Sequence, residues 1–262
     1  MGRVPMKSKW TDFYKTDYKI YIEEFEKRWE DGVATAKFIS NYLNKEFPDK
    51  RKVLDIPAGI GRIAIPLSSY GYEIVAVDFS EKLIEYGRKK GIETGSNKLK
   101  FVVCDMLNLG RLQPFRPEII INWWTSIGYH GKAYDLKFLK ILNEISDKDA
   151  ILFLETWHRN YILNYPVPHR WEDNGHFIEI IDSDISPFRS FVKIKHTYFK
   201  KNSNRLSKVS EFNAKIMLYD SAELVSMLGK SGWRVYDSFN NIRDGTRFLP
   251  SRDRIILVAR KG

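Results

Sequence analysis

A single cysteine, Cys104, stands among the 262 residues, so no disulfide can form within the chain and a reducing compartment is the expectation. No apolar run approaches the ~20 residues that a membrane-spanning helix needs. Met1–Lys7 has no apolar stretch of the kind a signal peptide carries. The expected setting is therefore cytoplasmic, with no membrane partner. Glutamine occurs once, at Gln113, in a chain rich in Lys and Ile; that composition is compatible with life at high temperature. No internal repeat or low-complexity segment is present. The histidines His158, His169, His176 and His196 fall at irregular spacing with no cysteine beside them, so no metal site is expected.

What is present is charge and apolar mass. The net charge of +10 fits either a phosphate-bearing partner or a solvated cationic surface, because net charge speaks to association rather than to a particular site. At 43% hydrophobic and 14% aromatic residues, the chain can bury one sizeable core with an appended subdomain.

Hydrophobic period divides the chain into three parts. From Tyr18 to Leu43 apolar residues recur at helical spacing, so one or two aromatic-rich helices precede the first strand. Short apolar runs then alternate with helical patterns. Strands are expected at about 53–55, 73–78, 99–104, 118–122 and 150–155, which argues for a mainly parallel sheet. Ser80 is the expected N-cap of a helix that Gly91 ends. Near residue 157 the period changes to two: Val192, Ile194, His196 and Tyr198 alternate with Lys193, Lys195 and Thr197, and Phe212, Ala214, Ile216 and Leu218 repeat the pattern after Lys201–Asn204. Residues 157–218 thus read as an inserted antiparallel β-layer. Asp220-Ser221-Ala222-Glu223 has the form of a capping box. Two last strands, Trp233–Phe239 and Arg254–Arg260, form a terminal hairpin. The expected fold class is α/β, a Rossmann-like doubly wound seven-stranded sheet with that hairpin and the inserted β subdomain. The expected domains are 1–48, a helical lid; 49–156 with 219–262, the Rossmann-like part; and 157–218, the insert over the acceptor site.

The most informative stretch is Val53-Leu54-Asp55-Ile56-Pro57-Ala58-Gly59-Ile60-Gly61-Arg62, followed by Val75-Ala76-Val77-Asp78. An apolar strand, a glycine turn, a helix and a second strand ending in a carboxylate make the first half of a nucleotide-binding unit. Glycine lets the backbone approach a ligand where a Cβ would clash, and Asp78 is placed to accept hydrogen bonds from ribose hydroxyls. Gly59 to Ala64 fits the relaxed dinucleotide fingerprint G-x-G-x-x-A, so a nicotinamide cofactor competes here. Asp55, just ahead of the loop, would repel a pyrophosphate and suits a cationic ligand such as S-adenosylmethionine (SAM).

With these residues the chain resembles the class I SAM-dependent methyltransferases. Asp55 to Arg62 is similar to their first motif, with Pro57 standing where the family usually has its first Gly, and Asp78 matches the acid of the second. Val102-Val103-Cys104-Asp105-Met106 resembles the third motif, and Ile119 to Ser126 falls where the fourth strand ends beside the transferable methyl. The resemblance implies SAM as cofactor, S-adenosylhomocysteine (SAH) as product, and cofactor contacts from Asp55, Pro57, Ala58, Gly59, Gly61, Asp78, Phe79, Asp105, Met106, Asn122 and Trp123.

The segment after the fourth strand narrows the chemistry. Asn122-Trp123-Trp124-Thr125 lacks the two prolines of the adenine-N6 and glutamine enzymes. It has no cysteine for attack on cytosine and no carboxylates for a magnesium ion. Thr125-Ser126-Ile127-Gly128-Tyr129 resembles a segment of small-molecule N-methyltransferases that act on amino sugars and glycine-like amines, with Tyr129 where the amino-sugar enzymes carry His. Tyr129 and His130 are the candidate catalytic residues. Tyr14, Tyr18, His158 and Arg170 are the candidate substrate contacts. The expected function is metal-independent methyl transfer to a nitrogen, less readily an oxygen, of a small molecule. The alternatives are an RNA methyltransferase gripping phosphates through the basic insert and the loop Arg243–Arg254, and an inactive SAM-binding module.

Overall fold

Parallel strands covered on both faces read as near-continuous apolar runs, and the central strands carry them in Val53–Leu54, Ile74–Val77, Ile119–Ile121 and Ile151–Leu154. The computed structural model describes residues 10–185, 188, 190–242, 245–250 and 252–262; Met1–Lys7 and Arg243 lie outside the described residues. Strands β1 (Lys52–Asp55), β2 (Glu73–Asp78), β3 (Leu99–Val103), β4 (Ile119–Asn122) and β5 (Ile151–Trp157) pair in parallel. Strands β10 (Trp233–Phe239) and β11 (Arg254–Lys261) extend the sheet antiparallel, giving the order β10-β11-β5-β4-β1-β2-β3. Alternate residues feed two cores: Leu54, Val77, Ile120 and Leu152 enter one, and Val53, Ala76, Ile121 and Phe153 the other. The chain leaves β1 towards β2 on one side and returns to β4 on the other. The crevice between the C-terminal ends of β1 and β4 is the switch point where such sheets bind ligands.

A second sheet is antiparallel: β6 (His169–Asp173), β7 (Phe177–Ile185), β8 (Phe191–Asn202) and β9 (Arg205–Met217), in that order. Helices α1 (Trp10–Thr16) and α2 (Tyr18–Lys27) pack on it, and Phe13, Ile20, Ile194, Phe212 and Ile216 form a third core. Helix α3 (Trp29–Glu46) joins these to the main sheet. The N-terminal region is thus three helices rather than one or two, because the chain breaks at Asp17 and again at Arg28.

The remaining helices are α4 (Ala64–Ser68), α5 (Glu81–Ile92), α6 (Lys132–Ile145), α7 (Arg159–Asn164) and α8 (Ser221–Lys230). The capping box at α8 forms as expected: Glu223 N–H donates to Asp220 at 2.8 Å and Asp220 N–H to Glu223 at 3.3 Å. Ser80 does not cap α5 with its side chain; its hydroxyl donates to the Tyr14 carbonyl at 2.8 Å and ties the N-terminal helices to the nucleotide-binding half. Nor does Gly91 end α5.

Glycine has a packing role here. A Cβ on Gly61 would stand 2.7 Å from the Phe101 ring, one on Gly87 2.6 Å, and one on Gly91 3.2 Å. Phe101 of β3 fills the notch that these three leave, so α5 lies close on the sheet. Gly87→Ala should therefore destabilise the protein by about 1–3 kcal/mol through overpacking, although alanine at an exposed helical site would stabilise by about 1 kcal/mol. Urea unfolding followed by circular dichroism measures the sign.

Candidate active site

Two carboxylates are buried where β1 and β2 end. Asp78 is 5% exposed and Asp55 2%. Asp78 accepts the N–H of Gly59 at 3.0 Å and of Ser80 at 2.9 Å, so it shapes the glycine turn as well as facing the crevice. Burial pushes its carboxyl up to about 6, with the hydrogen bonds from Ser80 and Gly59 pulling the other way. Asp55 goes further, to about 8: burial dominates, a backbone hydrogen bond from Ala64 opposes it, and the charge of Asp78 adds to it. Neither carboxylate forms an ion pair among the described residues. Arg62 lies close by, but its guanidinium sits over the rings of Phe25 (4.1 Å) and Trp124 (4.4 Å) and donates to the Arg28 carbonyl at 2.9 Å.

The loop after β4 is pinned at both ends. Trp124 and Thr125 have φ of 63° and 51°, a region that costs a non-glycine residue energy unless its surroundings enforce it. Glu155, buried on β5, enforces it: the N–H groups of Trp124 and Thr125 donate to Oε2 at 2.7 and 3.2 Å, while Arg254 pairs with Oε1. Further on, Gly128 N–H donates to the Asp135 carboxylate at 3.0 Å, and Tyr219 hydroxyl to the same oxygen at 2.6 Å. Gly128 has φ of 101°, and a Cβ there would stand 2.5 Å from the Met217 carbonyl. Tyr129 is thereby set against the insert.

Crevice and insert enclose one cavity of about 320 Å³. Of the residues expected at the site, Tyr14, Asp55, Pro57, Ala58, Gly59, Asp78, Phe79, Asp105, Met106, Trp123, Tyr129, His130 and Arg170 lie on its wall. His130 is exposed at the rim, stacked on Tyr134 at 4.2 Å. Tyr129 faces inward, and burial raises its hydroxyl to about 12, the charge of Glu24 adding to the effect; it is a neutral hydroxyl, not a phenolate.

Four expected residues are not on this wall. Gly61 packs against Phe101 as described. Asn122 is fully buried and donates to the Ile56 carbonyl at 2.7 Å, bracing the turn from behind. His158 packs edge-on against Phe248 at 5.2 Å; β5 runs on to Trp157, which takes the cavity side, so the alternation of side chains along the extended chain sends His158 the other way. Tyr18 follows the break at Asp17, and Tyr21 takes the wall position instead.

Other wall residues were not singled out from the sequence as site residues: Glu24, Arg28, Glu179, His196, Tyr198 and Arg254. A signal existed for two of them. His196 and Tyr198 are polar groups on the otherwise apolar face of β8. His196 meets Glu179 of β7 at 2.6 Å, whereas His169 pairs with Asp182 and His176 with Glu23.

A buried acid at the end of each of the first two strands, a glycine turn, and a switch-point crevice together define a Rossmann-like nucleotide-binding domain. Residues 53–158 match the protein family described as "Methyltransferase domain", so this part of the chain is a methyltransferase domain. The fold is similar to that of a S-adenosylmethionine-dependent methyltransferase from Clostridium acetobutylicum ATCC 824, with TM-score 0.75 and 14% identity over 87% of this chain and 90% of that one. It is also similar to the sugar N-methyltransferase KedS8 from Streptoalloteichus sp ATCC 53650, with TM-score 0.68 and 13% identity over 98% of this chain and 95% of the other. In sequence, a Bacillus subtilis (strain 168) protein named as a methyltransferase, YqeM, is 28% identical over 67 residues, and the match spans only 26% of either chain.

Removing the clasp on the loop tests its role. Glu155→Ala leaves Arg254 and two N–H groups without their acceptor, and should cost about 3 kcal/mol of stability, read from urea unfolding. Loss of under 0.5 kcal/mol, the range of an ordinary surface substitution at roughly ±0.5 kcal/mol, would show that the loop holds itself.

Proposed function

We propose that this protein transfers a methyl group from SAM to a nitrogen of a small-molecule acceptor held in the cavity between the sheet, the N-terminal helices and the insert. One observation carries the reading: the crevice with Asp55 and Asp78 opens directly into a chamber walled by the insert, so cofactor and acceptor share one enclosed space. In this reading residues 1–48 are a lid, 49–156 with 219–262 bind the cofactor, and 157–218 cover the acceptor. The sugar N-methyltransferase KedS8, similar in fold over nearly its whole length, supports nitrogen as the acceptor atom.

The wall suits this cofactor. When bound, SAM supplies an electrophilic methyl on a sulfonium and brings an ammonium and two ribose hydroxyls. Asp55, buried with no ion pair among the described residues, would face the ammonium. Asp78 keeps acceptor capacity for a ribose hydroxyl after its backbone bonds from Ser80, Gly59 and Phe79. Asp105 and Met106 are on the wall for the adenine end. Ser126 hydroxyl and the Trp124 indole N–H are buried there with no hydrogen-bond partner among the described residues, and a ligand would satisfy them. The residues thus fit the group.

The protein's own part is positioning and exclusion of water. Tyr129, neutral and held by the pinned loop, orients the acceptor nitrogen as a hydrogen-bonding group. Tyr14 stands over Phe79 at 5.9 Å and against Tyr21 at 4.8 Å, closing the cofactor end with apolar rings.

The competing acceptor is RNA. Against it, Lys193 pairs with Asp184, Lys195 and Lys208 with Glu211, and Lys201 with Asp173, which neutralises much of the insert's outer face. Calorimetry with SAH should show binding, weakened by about 1.5–3 kcal/mol in Asp55→Asn and in Asp78→Asn through loss of a charge-assisted contact. Tight NADPH binding with none for SAH would restore the dehydrogenase reading. Gel shifts with total tRNA and rRNA should show no retention at low salt; affinity that falls steeply with salt would instead mark phosphate contacts.

A further inference from the structure

The insert end of the cavity holds a charge cluster that methyl transfer alone does not call for. Glu24 projects from α2, and Tyr198 hydroxyl donates to its Oε2 at 3.4 Å. Tyr198 is 2% exposed and also faces Glu179, itself 2% exposed and hydrogen-bonded to His196 at 2.6 Å. Rings complete the enclosure: Phe13 stacks on Tyr198 at 5.3 Å and meets Tyr14 edge-on at 5.5 Å, and Tyr14 meets Tyr21 at 4.8 Å.

We infer that this is an ammonium site: Glu24 and Glu179, bridged by Tyr198 and walled by Phe13, Tyr14 and Tyr21, take the cationic amino group of the acceptor, and Glu24 accepts its proton. The inference rests on the methyltransferase reading above and narrows its acceptor to an amine that enters charged.

The groups around Glu24 leave its charge under-compensated. On its own helix, Arg28 Nη2 is 3.6 Å away, but the same nitrogen lies 2.6 Å from Glu172 of β6, which claims it. Arg62, after β1, is spent on the Arg28 carbonyl and two rings. Arg170 of β6 faces Glu172 at 3.5 Å. From β7 comes a second carboxylate, Glu179, which His196 of β8 meets at 2.6 Å, and from α1, the β4 loop and β8 come the neutral hydroxyls of Tyr14, Tyr129 and Tyr198. Burial, with the repulsion of Glu179, lifts the Glu24 carboxyl to about 7 while Arg28 pulls it down. A cation between the two carboxylates relieves this repulsion; a neutral or anionic acceptor does not. Aromatic faces around it favour the same charge.

The cluster also answers a chemical need. An ammonium has no lone pair to attack with, and an ordinary carboxylate is too weak a base to free it. A carboxylate raised towards neutrality is matched to the task. The ammonium N–H bond breaks and its proton goes to a Glu24 oxygen. The freed lone pair forms the N–C bond as the C–S bond breaks, and that bonding pair stays on sulfur, leaving a neutral thioether. The product nitrogen keeps one positive charge, and the proton on Glu24 passes to solvent.

The test uses the full chain in two stages. Calorimetry first establishes SAH binding; if there is none, the methyltransferase reading fails and this inference with it. The SAH-loaded protein is then titrated with benzylamine and cyclohexylamine against benzyl alcohol and cyclohexanol, which match them in shape. The amines should bind about tenfold or more tighter than the alcohols, the scale of a charge-assisted contact. In Glu24→Gln and Glu179→Gln that preference should collapse to within about twofold while SAH affinity holds, which also shows that the variants are folded. Near pH 6, amine binding should displace protons in wild type and not in Glu24→Gln. Equal binding of amines and alcohols, absence of amine binding at millimolar concentration with SAH bound, or an undiminished preference in both variants would overturn the assignment.

Discussion

Two carboxylates withdrawn from water, with no ion pair among the described residues, set the terms for the rest of the molecule. Asp55 and Asp78 sit at the C-terminal ends of adjacent central strands because strands buried on both faces can carry polar groups only where they emerge. There the glycine turn closes over them. Asp78 spends part of its charge on Gly59 and Ser80 N–H groups; Asp55 has a backbone hydrogen bond and the field of nearby Arg62, which makes no ion pair with it. Burial wins in both, and their carboxyls rise to about 8 and about 6. A site built this way favours a ligand that brings positive charge and hydroxyl donors, and it disfavours a pyrophosphate. This is the physical reason the SAM reading prevails over the nicotinamide one despite a fitting glycine pattern.

The insert side of the cavity follows from a second constraint, the fixing of the loop after β4. Left-handed Trp124 and Thr125, clasped by Glu155, and Gly128, clasped by Asp135, give that loop one conformation. The insert then packs its apolar face on α1 and α2 instead of on the main sheet. A third core results, separate from the two that cover the seven strands, and the cavity lies at the junction. Its wall changes character from end to end: carboxylates and glycine turn at the strand edge, aromatic rings in the middle, and Glu24, Glu179 and His196 under the insert.

Strand periodicity made most of the fold legible. Runs such as Ile119–Asn122 and Glu73–Asp78 can only be strands buried on both faces, and the alternation after residue 190 can only be a half-covered hairpin. The capping box at Asp220 was equally readable. What the sequence concealed were orientations. Gly61 looked like part of the ligand cradle, but Phe101, forty residues away, claims the space. Asn122 and His158 were each one residue out of phase with the cavity, and a strand end two residues longer than expected decided the second. Tyr18 was lost to a helix break at Asp17 that no glycine or proline announces. Glu24 was unreadable because its partners, Tyr198 and Glu179, lie more than 150 residues along the chain, on strands whose register only the folded insert defines.

The most direct measurement is proton exchange on binding SAH, by calorimetry at pH 7 in buffers of different ionisation enthalpy. In the free protein the raised carboxyl of Asp55 is mostly protonated at that pH and Asp78 slightly so; an ammonium beside them favours the ionised forms. Binding should therefore release on the order of one proton, and affinity should rise from pH 6 to pH 8 and level off above. Binding with no proton release, or an affinity that is flat or falls across that window, would contradict the claim that buried, uncompensated carboxylates make this site.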